Sequence, residues 1–298
     1  MQASENGFNH LKFHQDPNTK EQLRVIILTH GGAQQVVNRI LALNHVSIVG
    51  IFVETNNVRR YNPRQLIKRS IRYDGYWATG LKLGRRILRL GHAGGEDLQE
   101  SRDRLRQIAE DRQIPFHLVS DYHSAETQQL MISARPDLGV VYGTNIIKES
   151  VFTIPRLGSI NLHQGLAPYY RGGPPIFWEL FNGESEVGVT VHFVEAKVDS
   201  GPIVLQETVP LSYDYKYGLD YESFIADFQS ELHERSARLV AEAVRLIAIG
   251  GPVTKVQDCS IGKRYRLPLK AEKDELRRRL RARWLAARNQ GSPTEANI

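Results

Sequence analysis

The chain has 298 residues, 41% of them hydrophobic and 24% charged, a balance that supports a sizeable buried core and excludes a compositionally disordered polymer. Its single cysteine, Cys259, excludes an internal disulfide and a cysteine-based metal cage. The polar start from Met1 to Lys20 holds no apolar signal core, and no stretch reaches the ~20 apolar residues that span a bilayer, so a cytoplasmic location is expected. The net charge of +6 is unevenly spread: Arg59 to Arg89 carries +9 and Lys263 to Arg288 carries +8, which leaves the rest of the chain at −11. Such runs are most often solvated faces, although they also attract phosphates, RNA or an anionic lipid surface.

In chain order, Arg24 to Leu28 predicts a strand that ends at Thr29-His30-Gly31-Gly32, with a helix from Ala33 to Leu43. Gly31 and Gly32 sit where backbone amides at a helix start can meet a substrate phosphate. The pattern continues with a strand over Val46 to Val53, a basic excursion, a helix over Leu98 to Asp111, a strand over Phe116 to Val119, a helix over Ala125 to Ala134 and a strand over Leu138 to Tyr142. Apolar strands alternating with helices imply an α/β fold, a mostly parallel sheet with helices on both faces and ligands at the carboxyl ends of the strands. The excursion, about 55–97, mixes Tyr61, Tyr73, Tyr76 and Trp77 with arginines and reads as a basic helical insertion suited to packing on the flank, to a nucleotide or to a membrane surface.

Gly158 to His163 is the next strand, followed by a Pro/Tyr/Gly-rich loop, a helix over Ile176 to Phe181, and two strands, one alternating through Val187, Val189, Val191 and Phe193 and the other from Pro202 to Val209. The turn between those strands presents Asp199. A helix around Ser230 to Ile249 covers the sheet, and an arginine-rich helical tail follows Gly250-Gly251 without a second folded domain. The organisation is therefore a polar arm at 1–20, a catalytic domain at 21–250 containing the insertion, and a basic tail at 251–298.

Asn161 and His163 project together from one strand face, so a donor amide and an imidazole emerge side by side at the carboxyl end of a parallel strand. Asn161 can donate to a developing oxyanion, and His163 can move a proton near neutral pH. Asp199 can orient the imidazole or a water and raise the pKa of His163. Arg171, in the loop, can meet an anionic group. An Asn-x-His on a strand is also compatible with a purely structural role. His192 reads as a packed or exposed strand histidine, and His30, His117 and His123 lack ligand spacing, so no metal is expected.

Asn161-Leu162-His163, Pro168, Tyr170-Arg171-Gly172, Gly188-Val189-Thr190-Val191-His192 and Val198-Asp199-Ser200-Gly201, in this order, resemble the folate-dependent formyltransferases. The similarity is strong from about Pro136 to Val209. It implies a Rossmann-like formyltransferase fold, with Asn161, His163 and Asp199 catalytic and 10-formyltetrahydrofolate as formyl donor. It also implies a folate pocket near Tyr142, Gly143, Thr144 and Val198. The acceptor-side candidates are Gly31, Gly32, Pro168, Tyr170 and Arg171. Gln164-Gly165 departs from the family's usual serine and leucine after the histidine.

The expected activity is formyl transfer to a primary amine on a small phosphorylated acceptor, such as a nucleotide-linked amino sugar. Methionyl-tRNA formyltransfer is the alternative. The short stretch beyond Gly251 argues against tRNA and the two basic segments argue for it. Formyltetrahydrofolate hydrolysis needs only water in place of the amine, and a non-catalytic binding protein on the same fold is the reading from another class. A homodimer is the default assembly.

Overall fold

The computed structural model describes residues 22–55, 68, 72–73 and 95–289. The polar arm and most of the basic insertion lie outside the described residues. The elements are β1 (Leu23–Thr29), α1 (Gln34–Leu41), β2 (Val46–Glu54), α2 (Gly95–Asp111), β3 (Phe116–Val119) and α3 (Ala125–Ser133), then β4 (Leu138–Tyr142), α4 (Glu149–Phe152) and β5 (Ser159–His163). After these come β6 (Tyr170–Arg171), α5 (Phe177–Asn182), β7 (Glu186–Phe193), β8 (Ile203–Pro210), α6 (Tyr221–Ala248), β9 (Lys263–Arg264) and α7 (Lys270–Asn289).

Among the described residues, seven strands form one sheet in the order β3-β2-β1-β4-β5-β7-β8. The first five are parallel and β7 and β8 are antiparallel additions. Alternation along β1 explains why both faces need cover: Val25 and Ile27 join one core cluster, Ile26 and Leu28 the other. The first face is closed by Val36, Val37 and Ile40 of α1, Leu105 of α2 and Val240 and Val244 of α6. Met131 of α3 and Val151 and Phe152 of α4 close the second. Sheets buried on both sides select the near-continuous Val/Ile/Leu runs of β1 and β2.

Two segments differ from the sequence expectation. α6 starts at Tyr221, nine residues before Ser230, because Asp220 caps it by accepting the Ser223 N–H at 3.1 Å and because Tyr221, Phe224, Ile225 and Phe228 carry helical spacing. The expected tail folds back onto the sheet. Lys255 exchanges main-chain hydrogen bonds with Ile203, β9 pairs in parallel with β6, and the Trp178 indole N–H donates to the Arg266 carbonyl at 2.7 Å. Leu276 and Leu280, each 1% exposed, then enter the main core. Leu280→Ala is therefore expected to cost about 2–5 kcal/mol in urea unfolding, the range for a buried leucine; a loss under about 0.5 kcal/mol, as at a surface site, would show that α7 is an appendage.

Candidate active site

β5 ends at the carboxyl edge of the parallel part of the sheet and carries Asn161 and His163. Its antiparallel neighbour β7 places His192 directly opposite Asn161 and Thr190 opposite His163. The chain then turns toward β8 through Asp199, whose φ of 50° is left-handed, a conformation that aspartate tolerates better than most residues but that still costs energy. Gly172, itself at φ 69°, donates its N–H to Asp199 Oδ2 at 2.8 Å and so holds that turn. Asn161, His163, Gly172, His192 and Asp199 share a cleft of about 300 Å³ whose other walls include 143–147, 194–198 and Arg264.

Asp199 lies between two imidazoles, with Oδ2 3.5 Å from His163 Nδ1 and Oδ1 3.5 Å from His192 Nε2. Burial alone would raise its pKa. The His192 ring, the neighbouring His163 and the Gly172 N–H outweigh that and bring it to about 2, so Asp199 is ionised. For His163, burial is the largest influence and lowers the pKa, against the raising effects of Asp199 and the Tyr170 carbonyl. Asp199 thus raises the pKa of His163 as expected, but desolvation of the imidazolium outweighs it and the net shift is downward.

The tautomer follows from a single contact. A carbonyl only accepts, so at 2.6 Å His163 Nε2–H donates to the Tyr170 oxygen, and the neutral ring leaves its lone pair on Nδ1, facing Asp199. That is the arrangement of a base: neutral at rest, with the imidazolium it forms held between a carboxylate and a carbonyl. Gly165 permits the contact, since a Cβ there would lie 2.4 Å from His163 Nε2 and 2.7 Å from the Tyr170 oxygen. Gln164 turns to α6, where its amide donates to Ser236 at 3.3 Å.

His192 is the site residue that the sequence reading passed over. It is 2% exposed; its Nδ1–H donates to the Phe193 carbonyl at 2.8 Å, which turns Nε2 toward Asn161 Nδ2 at 3.3 Å and toward Asp199. The register of the β-ribbon was the available signal, because it puts His192 across from Asn161. His30 was also passed over. Its ring donates to the Glu54 carbonyl at 3.1 Å and accepts the Asn145 N–H at 3.0 Å, tying the 143–147 wall to the end of β1.

The other sequence candidates divide. Gly143, Thr144 and Val198 line the cleft, whereas Tyr142 is partly buried against the core beside β1. Gly31 and Gly32 are not at the cleft, and their amides are already used: Gly31 N–H donates to Thr29 Oγ1 at 3.0 Å and Gly32 N–H to Ser101 Oγ at 2.7 Å. Arg171 is buried, donating to the carbonyls of Pro168 and Cys259, so it anchors the loop instead of meeting an anion. The Tyr170 hydroxyl donates to Glu184 and its ring stacks on Tyr265, which leaves its main-chain carbonyl as its contact with the site. Pro168, after a cis peptide, lends its carbonyl to Arg171.

Behind His163 a small cavity reaches Glu179 of α5, a carboxyl 2% exposed that burial pushes up to about 7.

Residues 94–231 match the family model described as formyl transferase. Over that stretch the chain is similar to the formyl transferases. Among curated relatives, the methionyl-tRNA formyltransferase of Chlorobium limicola is 37% identical over 157 residues, 53% of this chain and 47% of the relative. That of Pseudomonas fluorescens is 37% identical over 163 residues, again 53% and 47%. The chain spans about half the length of the curated relatives it matches. Among solved structures, a 4-N formyltransferase from Francisella tularensis superposes with a TM-score of 0.53 at 14% identity over 87% of each chain. A formyltetrahydrofolate deformylase from Pseudomonas syringae gives 0.52 at 16% identity, covering 80% of this chain and 67% of that one. These two likenesses establish the formyl transferase fold.

Two titrations test the site's electrostatics. In a proton NMR titration of the histidine rings, His163 is expected to titrate below the ordinary value of about 6.5, and Asp199→Asn is expected to lower it further by removing the carboxylate that favours the imidazolium. A rise in the variant would refute this balance. The raised pKa of Glu179 contributes stability that is complete below its ordinary 4.5 and is lost as pH rises through about 7. Glu179→Gln should therefore gain about 2 kcal/mol relative to the parent between pH 5 and pH 8 in denaturant unfolding, and a gain that did not depend on pH would place the carboxyl in water.

Proposed function

We propose that this chain transfers a formyl group from 10-formyltetrahydrofolate to a primary amine, and that the acceptor is a small phosphorylated amine such as a nucleotide-linked amino sugar. The observation that carries the reading is the convergence of Asn161, His163 and Asp199 in one cleft, with His163 neutral and Asp199 ionised. The donor is proposed to lie along 143–147 and 194–198, which line the cleft beside these side chains.

In this mechanism the amine lone pair attacks the formyl carbon, a C–N bond forms, and the carbonyl electron pair moves onto oxygen. The Asn161 amide donates to that oxygen. His163 Nδ1 takes the proton that the amine loses, and the imidazolium is held between Asp199 and the Tyr170 carbonyl. Collapse restores the C=O bond, breaks the bond to N10 of the folate and returns the proton to that nitrogen, giving a formamide and tetrahydrofolate. His192 acts as a positioning residue, holding Asn161 and Asp199 from behind.

A second reading has its own support: the relatives named above are methionyl-tRNA formyltransferases, so methionyl-tRNA is the competing acceptor. Tetrahydrofolate release, measured with amino-sugar nucleotides, with methionyl-tRNA and with no acceptor, separates the readings. Release stimulated by an amino-sugar nucleotide is expected. It should fall about 10²–10⁴-fold in His163→Ala and about 10²–10³-fold in Asn161→Ala. Stimulation by methionyl-tRNA alone would replace the acceptor, release without any amine would indicate a hydrolase, and folded protein with no release above His163→Ala would favour a binding protein.

A further inference from the structure

We propose that Arg264, on β9, binds a phosphate of the formyl acceptor; this rests on the formyl-transfer reading above. Arg264 lies 33 residues beyond the end of the family match, and pairing of β9 with β6 carries it to the cleft. The strand is pinned on both sides of it: Lys263 N–H donates to the Tyr169 carbonyl at 3.1 Å and Tyr265 N–H to the Arg171 carbonyl at 2.7 Å. Its stem runs along Gly172, where a Cβ would come within 3.2 Å of Arg264 Cγ, so the glycine that holds Asp199 also makes room for the arginine. The side chain lines the same cleft as Asn161, His163 and Asp199.

Four of the arginines that follow are engaged with acids. Arg266 pairs with Glu272, Arg277 with Glu222 and Asp274, and Arg278 and Arg279 with Glu275. Arg264 makes no ion pair among the described residues. A guanidinium fork without a carboxylate partner, at the edge of a cleft, is a ready bidentate site for a phosphate. The proposed donor occupies 143–147 and 194–198, and the latter wall includes a cation of its own, Lys197. The remaining wall, Gly172-Gly173 with Arg264, is left to the second substrate.

Titration calorimetry on the full chain tests this with three probes: inorganic pyrophosphate, folic acid, and pteroic acid, which lacks the glutamate. Arg264→Ala is expected to weaken pyrophosphate about tenfold or more, and Arg264→Lys to recover part of the loss because it restores charge without the fork. Folic and pteroic acids should bind parent and variants alike within about twofold, as their contacts lie elsewhere. Equal pyrophosphate binding by parent and Arg264→Ala, or none by the parent, overturns the proposal. So does weakened folic acid with unchanged pteroic acid, which would assign Arg264 to the donor's carboxylates. A parent that binds pyrophosphate through Arg264 but neither folate would keep the anion contact and defeat the formyl-donor reading separately.

Discussion

The site depends on the antiparallel pairing of β7 with β5. Every other strand contact of β5 is parallel and leaves its carboxyl end open, whereas β7 runs back along it and sets His192 across from Asn161. That register decides which side chains meet, since a slip of one residue would turn His192 to the opposite face. The same pairing sets the origin of the turn that carries Asp199, so three polar groups from two strands and a loop share one point in space. Gly172 completes the arrangement by binding Asp199 through its backbone.

Within that frame, two opposed electrostatic effects divide the labour between His163 and Asp199. Burial penalises both charged forms, yet the outcome differs, because Asp199 receives several favourable partners and His163 receives two. The aspartate therefore stays charged while the imidazole stays neutral, and a proton arriving at Nδ1 finds its stabilising groups already in place. Preorganisation of this kind needs a rigid loop. Ile176, a fully buried β-branched residue at φ 72°, shows that strain is held in the chain just after the glycines of that loop.

Much of the scaffold was legible in the sequence. β3 and β4 coincide with the runs Phe116 to Val119 and Leu138 to Tyr142: β4, central and buried, reads as a short apolar run, whereas β3, at the sheet edge with only Val119 buried, is marked by its place between two helical patterns. The co-projection of Asn161 and His163 follows from the two-residue period of a strand, and the place of Asp199 came from family resemblance more than from local pattern. What stayed hidden was pairing at a distance. His192 joins the site through a cross-strand register, Ser101 reaches Gly32 from 69 positions away, and Arg171 is consumed by the Cys259 carbonyl across 88 positions. The segment after Gly251 looked like a solvated tail because its charges dominate its composition, while two leucines one turn apart are what dock it.

The parallel pairing of β6 with β9 carries a consequence for the order in which the protein becomes competent. The loop that contacts His163 and Asp199 is emitted by the ribosome about 90 residues before the strand that braces it, and nascent chains lengthen by about 5–20 residues per second. For several seconds the sheet can therefore assemble around Asn161 and His163 while the loop through Tyr170 and Arg171 still lacks its brace. Completion of the cleft is thus tied to the late arrival of β9 and α7, and a nascent chain interrupted before Lys263 would carry Asn161, His163 and Asp199 without the wall that orders their surroundings.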